Sequence, residues 1–114
     1  MKEKLKTLLP TLREKHRYIK FQVISEEPIV YADLEQAVWN TMLDFFGEDG
    51  VSKQSLWLIK NTYNSRKQIG IIRCNNKSVP EVVAGLGLIS RLGDVRVIFK
   101  ILKISGTIKR LNFK

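Results

Sequence analysis

The sequence predicts an α+β domain whose elements run strand, helix, strand, strand, helix, strand. Three observations predict it. Apolar and polar residues alternate over 17–25 and again over 95–105, the period of a half-buried strand. Apolar residues recur at helical spacing over 31–46. The apolar run 78–92 opens on a helix-start signature, Ser78 followed by Pro80 and Glu81.

Residues 1–16 read as a basic N-terminal extension, mostly polar and broken at Leu9-Pro10. In 17–25, Ile19, Phe21 and Val23 alternate with Tyr18, Lys20 and Gln22, which puts one face on a core. Pro28 breaks the chain after Glu26 and Glu27. In the predicted helix 31–46, Leu34, Ala37, Val38, Thr41, Met42, Phe45 and Phe46 form one stripe, and Gly47 is a fitting stop. Residues 47–54, with Gly47, Gly50 and Ser52, read as a loop.

Strands over 55–61 and 67–74 flank the turn formers Asn61 to Arg66, which reads as a hairpin. Ser78 and Glu81 have the spacing of a capping box, and the second helix is expected to run to about Leu92, ending before Gly93. Its apolar residues cover most of the circumference, so burial on more than one side, including contact with a partner chain, is expected. Gly85 and Gly87 each cost roughly 1 kcal/mol of helix propensity, and close approach of another backbone would account for them. The last strand, 95–105, is followed by Gly106 and a basic tail over 107–114.

This order is that of the split βαβ, or ferredoxin-like, arrangement: βαββαβ, a four-stranded antiparallel sheet with two helices packed on one face. The domain spans 17–106, between basic terminal extensions. The other sheet face would carry apolar residues mixed with Lys and Arg, and such a face is usually covered.

The 114 residues carry a formal net charge of +9, and the charge is sorted along the chain. Residues 1–20 have seven Lys/Arg against Glu3 and Glu14. Residues 21–50 have no Lys or Arg and seven acids: Glu26, Glu27, Asp33, Glu35, Asp44, Glu48 and Asp49. From 51 onward, thirteen bases stand against Glu81 and Asp94 alone. Basic ends around one acidic segment point to a polyanionic partner, with the acidic segment turned away from it. Cys74 is the single cysteine, so no internal disulfide forms and no Cys-rich zinc site exists. The start has no apolar run of signal-peptide length, no segment has the roughly 18 apolar residues of a membrane span, and the expected location is the cytoplasm.

The residues suggest no catalytic constellation and no metal site. His16, the only histidine, lies between Lys15 and Arg17 with no carboxylate to orient it, a poor general base and a metal ligand without companions. Leu86-Gly87-Leu88 is not followed by the Lys-Ser/Thr of a phosphate loop. A small acylphosphatase-type enzyme would need a phosphate cradle after the first strand, where Ser25-Glu26-Glu27 would repel phosphate. An RNA-recognition motif would need aromatics on the third strand, which reads Lys67-Gln68-Ile69-Gly70-Ile71-Ile72-Arg73-Cys74. RNA contact is therefore expected to be mostly to phosphates, by shape rather than by base stacking.

Leu9-Pro10-Thr11-Leu12-Arg13, Lys15-His16-Arg17-Tyr18-Ile19 and Val23-Ile24-Ser25 resemble the opening of the archaeal ribonuclease P protein component 2 family. Leu56-Trp57-Leu58-Ile59, Gly70-Ile71-Ile72-Arg73-Cys74 and Ser105-Gly106-Thr107-Ile108 look like its later motifs, so the likeness covers about 7–110. The resemblance implies a ferredoxin-like, non-catalytic subunit of the particle that trims the 5′ leader from precursor tRNA, in which RNA is the catalyst. It implies a TIM-barrel protein partner, component 3, with other ribonuclease P proteins, and a homodimer or a heterotetramer of two such pairs. The protein itself would bind no cofactor, Mg2+ belonging to the RNA. A ribosomal or other structural RNA-binding protein of the same fold is the alternative.

Arg13, Lys15, His16, Arg17 and Lys20 are expected to form a basic approach to the first strand, Arg66 and Lys67 a hairpin tip, and Lys109 and Arg110 a tail, all converging on phosphate. Trp57, Val82, Leu86, Leu88 and Ile89 are expected protein contacts.

Overall fold

A computed structural model describes residues 15–108 and Leu111. The elements are β1 (His16–Ser25), α1 (Tyr31–Gln54), β2 (Trp57–Asn64), β3 (Ile69–Asn75), a single 3₁₀ turn (Asn76–Ser78), α2 (Val79–Leu88), β4 (Arg91–Leu92) and β5 (Val95–Ser105). The sheet order is β2-β3-β1-β5-β4, and every pairing is antiparallel. The helix α1 carries the chain from β1 across to β2, and β3 returns between them. Two helices thus pack on a curled antiparallel sheet, an α+β fold.

The core lies between the helices and one sheet face. Ile19, Phe21 and Val23 of β1, Leu58 of β2, Ile72 and Cys74 of β3, and Val97 and Phe99 of β5 meet Leu34, Val38 and Met42 of α1 and Val82 and Leu86 of α2. The Phe21 and Phe99 rings stand 5.6 Å apart, from the neighbouring strands β1 and β5. Burying each such aromatic or aliphatic side chain contributes about 1.5–3 kcal/mol, so the alternation read in β1 is what fixes which face is inside.

Several boundaries differ from the sequence expectation. The first helix does not end at Gly47. That residue has φ 70° and ψ 174°, and it breaks the helix, but helical structure resumes through Gln54 where a loop was expected. Burial of Val51 and Gln54 draws the second segment back onto the domain. The hairpin turn falls at 65–68, because Thr62, Tyr63 and Asn64 stay in β2. Tyr63 is held there by its hydroxyl, which donates to the Ile29 carbonyl at 2.9 Å, and by the Tyr31 ring at 5.7 Å.

The capping box does not form. Ser78 makes no side-chain cap; instead Asn75 Oδ1 accepts the Lys77 amide at 2.8 Å, and Glu81 Oε1 accepts Gln54 Nε2 at 3.3 Å, tying α2 to α1. The helix α2 ends at Leu88, not Leu92: Ile89 is extended, and Arg91–Leu92 pair with Val95–Arg96 around Gly93-Asp94. The expected four-stranded sheet therefore has a fifth, two-residue strand. Ile89 and Leu92 remain buried, but as parts of an extended segment, which is why their apolar character read as helix.

Gly85 does mark a close approach, though to a side chain: a Cβ there would sit 2.7 Å from Met42 Sδ and Cε.

Candidate nucleic-acid interface

The sheet's second face is assembled from the alternate residues of each strand, which the ladder places in rows. Trp57 pairs with Arg73, Arg73 with Tyr18, and Tyr18 with Ser105, forming one row across β2, β3, β1 and β5. The next row is Ile59, Ile71, Lys20 and Lys103. Further along, Gln22 stands between Ile69 and Lys100, and Ile24 is paired with Ile98. The register between β1 and β5 shifts beside Lys20, where Leu102 is the extra residue of β5.

The charge is layered. The strands β1, β2, β3 and β5 contain no Asp or Glu; Lys20, Arg73, Arg96, Lys100 and Lys103 lie on the second face, whereas Arg17 is in phase with the core residues and Lys60 stands over the Tyr31 ring on the helix side. The helix α1 carries Asp33, Glu35, Asp44, Glu48 and Asp49 against Lys53 alone. Sheet and first helix thus present opposite signs, and a polyanion is drawn to the sheet side.

One corner of the sheet gathers several of the expected cations. Lys15 is exposed just before β1, and its carbonyl accepts the Asn76 amide at 2.8 Å. His16 and Arg17 are half-buried, with Arg17 Nη1 donating to the His16 carbonyl at 3.0 Å. The Ser105-Gly106 turn lies alongside, since a Cβ on Gly106 would stand 3.6 Å from Arg17 Nη1. Lys20 Nζ donates to the Leu111 carbonyl at 2.9 Å, and Leu111 is 1% exposed. The basic approach and the chain's C-terminal turn therefore meet.

The hairpin tip does not join them. Asn64 Oδ1 accepts the amides of Arg66 (3.0 Å) and Lys67 (3.2 Å), leaving both side chains exposed. This turn neighbours Val23, whose amide donates to the Gln68 carbonyl, whereas His16 pairs with Asn75 at the opposite end of β1. At about 3.3 Å per residue, the tip and the Arg17 corner are roughly 20 Å apart. Arg13, Lys109 and Arg110 lie outside the described residues.

Of the expected protein contacts, Val82 and Leu86 are 0% exposed and Ile89 5%, packed in the chain's own core, so they offer no surface to a partner. Trp57 and Leu88 stand out, 57% and 56% exposed, on opposite sides of the sheet.

Three residues escaped the sequence reading. Tyr18 and Arg73 join Trp57 only through register, although period-two alternation had already placed Tyr18 opposite the core. Gln68, with φ 56° and 8% exposed, uses its side chain to tie the turn to the end of β1 and to the segment before α1: Oε1 accepts the Ile29 amide at 2.7 Å, and Nε2 donates to the Val23 carbonyl at 2.8 Å and Ser25 Oγ at 3.0 Å.

An open groove of about 560 Å³ follows Ile24 and Ile98 between Glu26, Arg91 and Arg96. Among the described residues, no three His, Cys, Asp or Glu side chains gather where they could hold a metal ion. Burial pushes the Cys74 thiol up to about 11, so it stays neutral and inert at physiological pH. The Tyr31 hydroxyl is raised by burial and by its hydrogen bond to Glu35, and Tyr63 by burial. No helix among the described residues is long and apolar enough to cross a membrane.

Fold and surface together define a small α+β protein with a basic sheet free of carboxylates. The chain belongs to the Rpp14/Pop5 family, whose match spans residues 17–114. It is 46% identical to ribonuclease P protein component 2 of Pyrococcus furiosus, over 100% of this chain and 93% of that one. The corresponding protein of Methanocaldococcus jannaschii is 36% identical, over 100% of this chain and 82% of that one. A chain in the cryo-EM structure of yeast ribonuclease MRP has the same fold, with TM-score 0.64 and 14% identity over 83% of this chain and 76% of that chain.

Proposed function

We propose that this chain is a subunit of ribonuclease P that contributes RNA contacts and leaves the chemistry to the RNA. The observation that carries the reading is the charge layering: no carboxylate in the four long strands, five on α1. The resemblance of the whole chain to ribonuclease P protein component 2 supports the particle, and the basic sheet supports the side on which RNA lies. The ferredoxin-like fold is part of this proposal, and the order β2-β3-β1-β5 of the four long strands supports it.

Lys15, His16, Arg17 and Lys20 are the phosphate-contacting corner, and Arg13, Lys109 and Arg110 are proposed phosphate contacts from their charge alone. Arg66 and Lys67 form a second contact some 20 Å away along the strands, so the RNA surface is an extended one. The acidic α1 faces away from RNA. A TIM-barrel protein subunit is the proposed protein partner, with Leu88 on the helix side as an exposed apolar contact, and any Mg2+ belongs to the RNA.

The test is co-purification of the tagged chain from its native host, followed by sequencing of the bound RNA and mass spectrometry of bound proteins. Ribonuclease P RNA with a TIM-barrel protein is expected. Ribosomal RNA in its place would move the chain to a ribosomal role. A triple change of Lys15, Arg17 and Lys20 to Ala should weaken RNA binding and reduce its salt slope by up to about three; an unchanged slope would remove the corner from the interface.

A further inference from the structure

The row Trp57–Arg73–Tyr18 points to more than phosphate contact. Its members lie on adjacent strands at facing positions, where side chains stand roughly 5 Å apart. Trp57 is more than half exposed, while Ile71, one row away on the same face, is wholly buried; Ile24 and Ile98, at the far end of that face, are exposed as well. An exposed indole offers a large, flat apolar surface to a ligand. Arg73 Nε is buried and makes no hydrogen bond, although its neighbours on both sides are aromatic. No acidic residue lies in any strand of this face to pair with the guanidinium or to repel a phosphate.

We infer that this row is a stacking site for an unpaired RNA base. The Trp57 indole supplies the flat surface, the Arg73 guanidinium fixes the neighbouring phosphate or base edge, and Tyr18 closes the far side. The inference rests on the RNA-facing role of the sheet proposed above and deepens it. The third strand holds no aromatic of its own, so base stacking was not expected; the register supplies the aromatics from β2 and β1 instead. Charge complementarity selects the occupant: a protein segment covering Trp57 would have to bring its own carboxylates to satisfy this basic face, whereas a single-stranded polynucleotide offers both a π-face and a phosphate in one repeat.

The experiment uses the full chain with Trp39 changed to Phe, so that Trp57 is the only indole. A ten-nucleotide single-stranded RNA of mixed sequence and an RNA duplex of equal length are titrated against it. The single strand is expected to quench Trp57 fluorescence. Trp57→Ala, read by anisotropy of labelled RNA, should lose roughly ten-fold or more in affinity for the single strand. It should keep its affinity for the duplex, and Trp57→Tyr should restore most of the loss. Unchanged melting temperatures establish that the variants fold.

Equal loss for single strand and duplex, or a change under two-fold, would overturn the stacking site while leaving the phosphate-contact reading intact. Loss of the protein partner from a reconstituted particle with RNA affinity untouched would also overturn it, assigning Trp57 to protein docking. Failure of the unaltered chain to bind either RNA would overturn both readings.

Discussion

Gln68 Oε1 accepts the Ile29 amide at 2.7 Å, which joins the β2–β3 turn to the segment that leads into α1. The same side chain donates to Val23 and Ser25, so one amide group holds three chain segments that sequence places up to 45 residues apart. Gln68 pays for this with a left-handed backbone, φ 56°. Gln68→Leu should cost about 2–3 kcal/mol, because the Ile29 amide and Val23 carbonyl would be left buried and unpaired. Gln68→Gly relaxes the backbone yet should still destabilise, since the bonds are lost. Urea unfolding with an unchanged m-value checks both; stability equal to the native chain in Gln68→Leu would show that water replaces the bonds.

Gly85 and Gly87 stand two residues apart in α2 and should respond oppositely to alanine. At Gly87 a Cβ meets nothing within 4 Å, so Gly87→Ala should stabilise by about 0.5–1 kcal/mol through helix propensity. At Gly85 the Cβ would strike the fully buried Met42, and overpacking should cost about 1–3 kcal/mol. Thermal melts of the two variants, one above and one below the native chain, are the expected outcome.

Cys74 sets a pH limit. Its thiol titrates near 9.0 when unfolded and about 11 when folded, because burial disfavours the thiolate. The unfolded chain therefore releases a proton first as pH rises. The stabilisation is complete below pH 9 and is lost between about 9 and 11. Cys74→Ala should flatten the fall of stability across that window relative to the native chain, whatever its packing cost at pH 7. Iodoacetamide at pH 8 should label Cys74 only in denaturant; rapid labelling of the folded chain would refute its burial.

The two basic ends should act independently. Lys15→Ala with Arg17→Ala at the corner, and Arg66→Ala with Lys67→Ala at the tip, are about 20 Å apart and share no partner. Their effects on RNA binding should add to within about 0.5 kcal/mol, each pair lowering the salt slope by up to about two. Strong coupling in a double-mutant cycle would mean that both ends grip one phosphate cluster, which the strand geometry does not allow.

The sequence by itself determined the layers and the charge. Alternation at Ile19, Phe21 and Val23 assigned the inner face of β1 because side chains on a strand alternate between faces. The stripe from Leu34 to Phe46 made α1, and the sorting of acids and bases along the chain already contained the two-sided electrostatics. What escaped were features that depend on residues distant in sequence. Gly47 stops a helix locally, but Val51 and Gln54 gain burial from the rest of the domain, so the helix resumes. Gly93 and Asp94 turn the chain from β4 into β5, and Arg91–Leu92 become a strand because β5 is there to pair with them. Val82, Leu86 and Ile89 look like partner contacts on a helical wheel and prove to be core, since the sheet and α1 enclose α2 on two sides. The Trp57–Arg73–Tyr18 row was invisible because Trp57 stood alone as an expected contact while Tyr18 and Arg73 are unremarkable in their own strands; antiparallel register, set by the turn that Gln68 pins and by the buried faces, brings the three together.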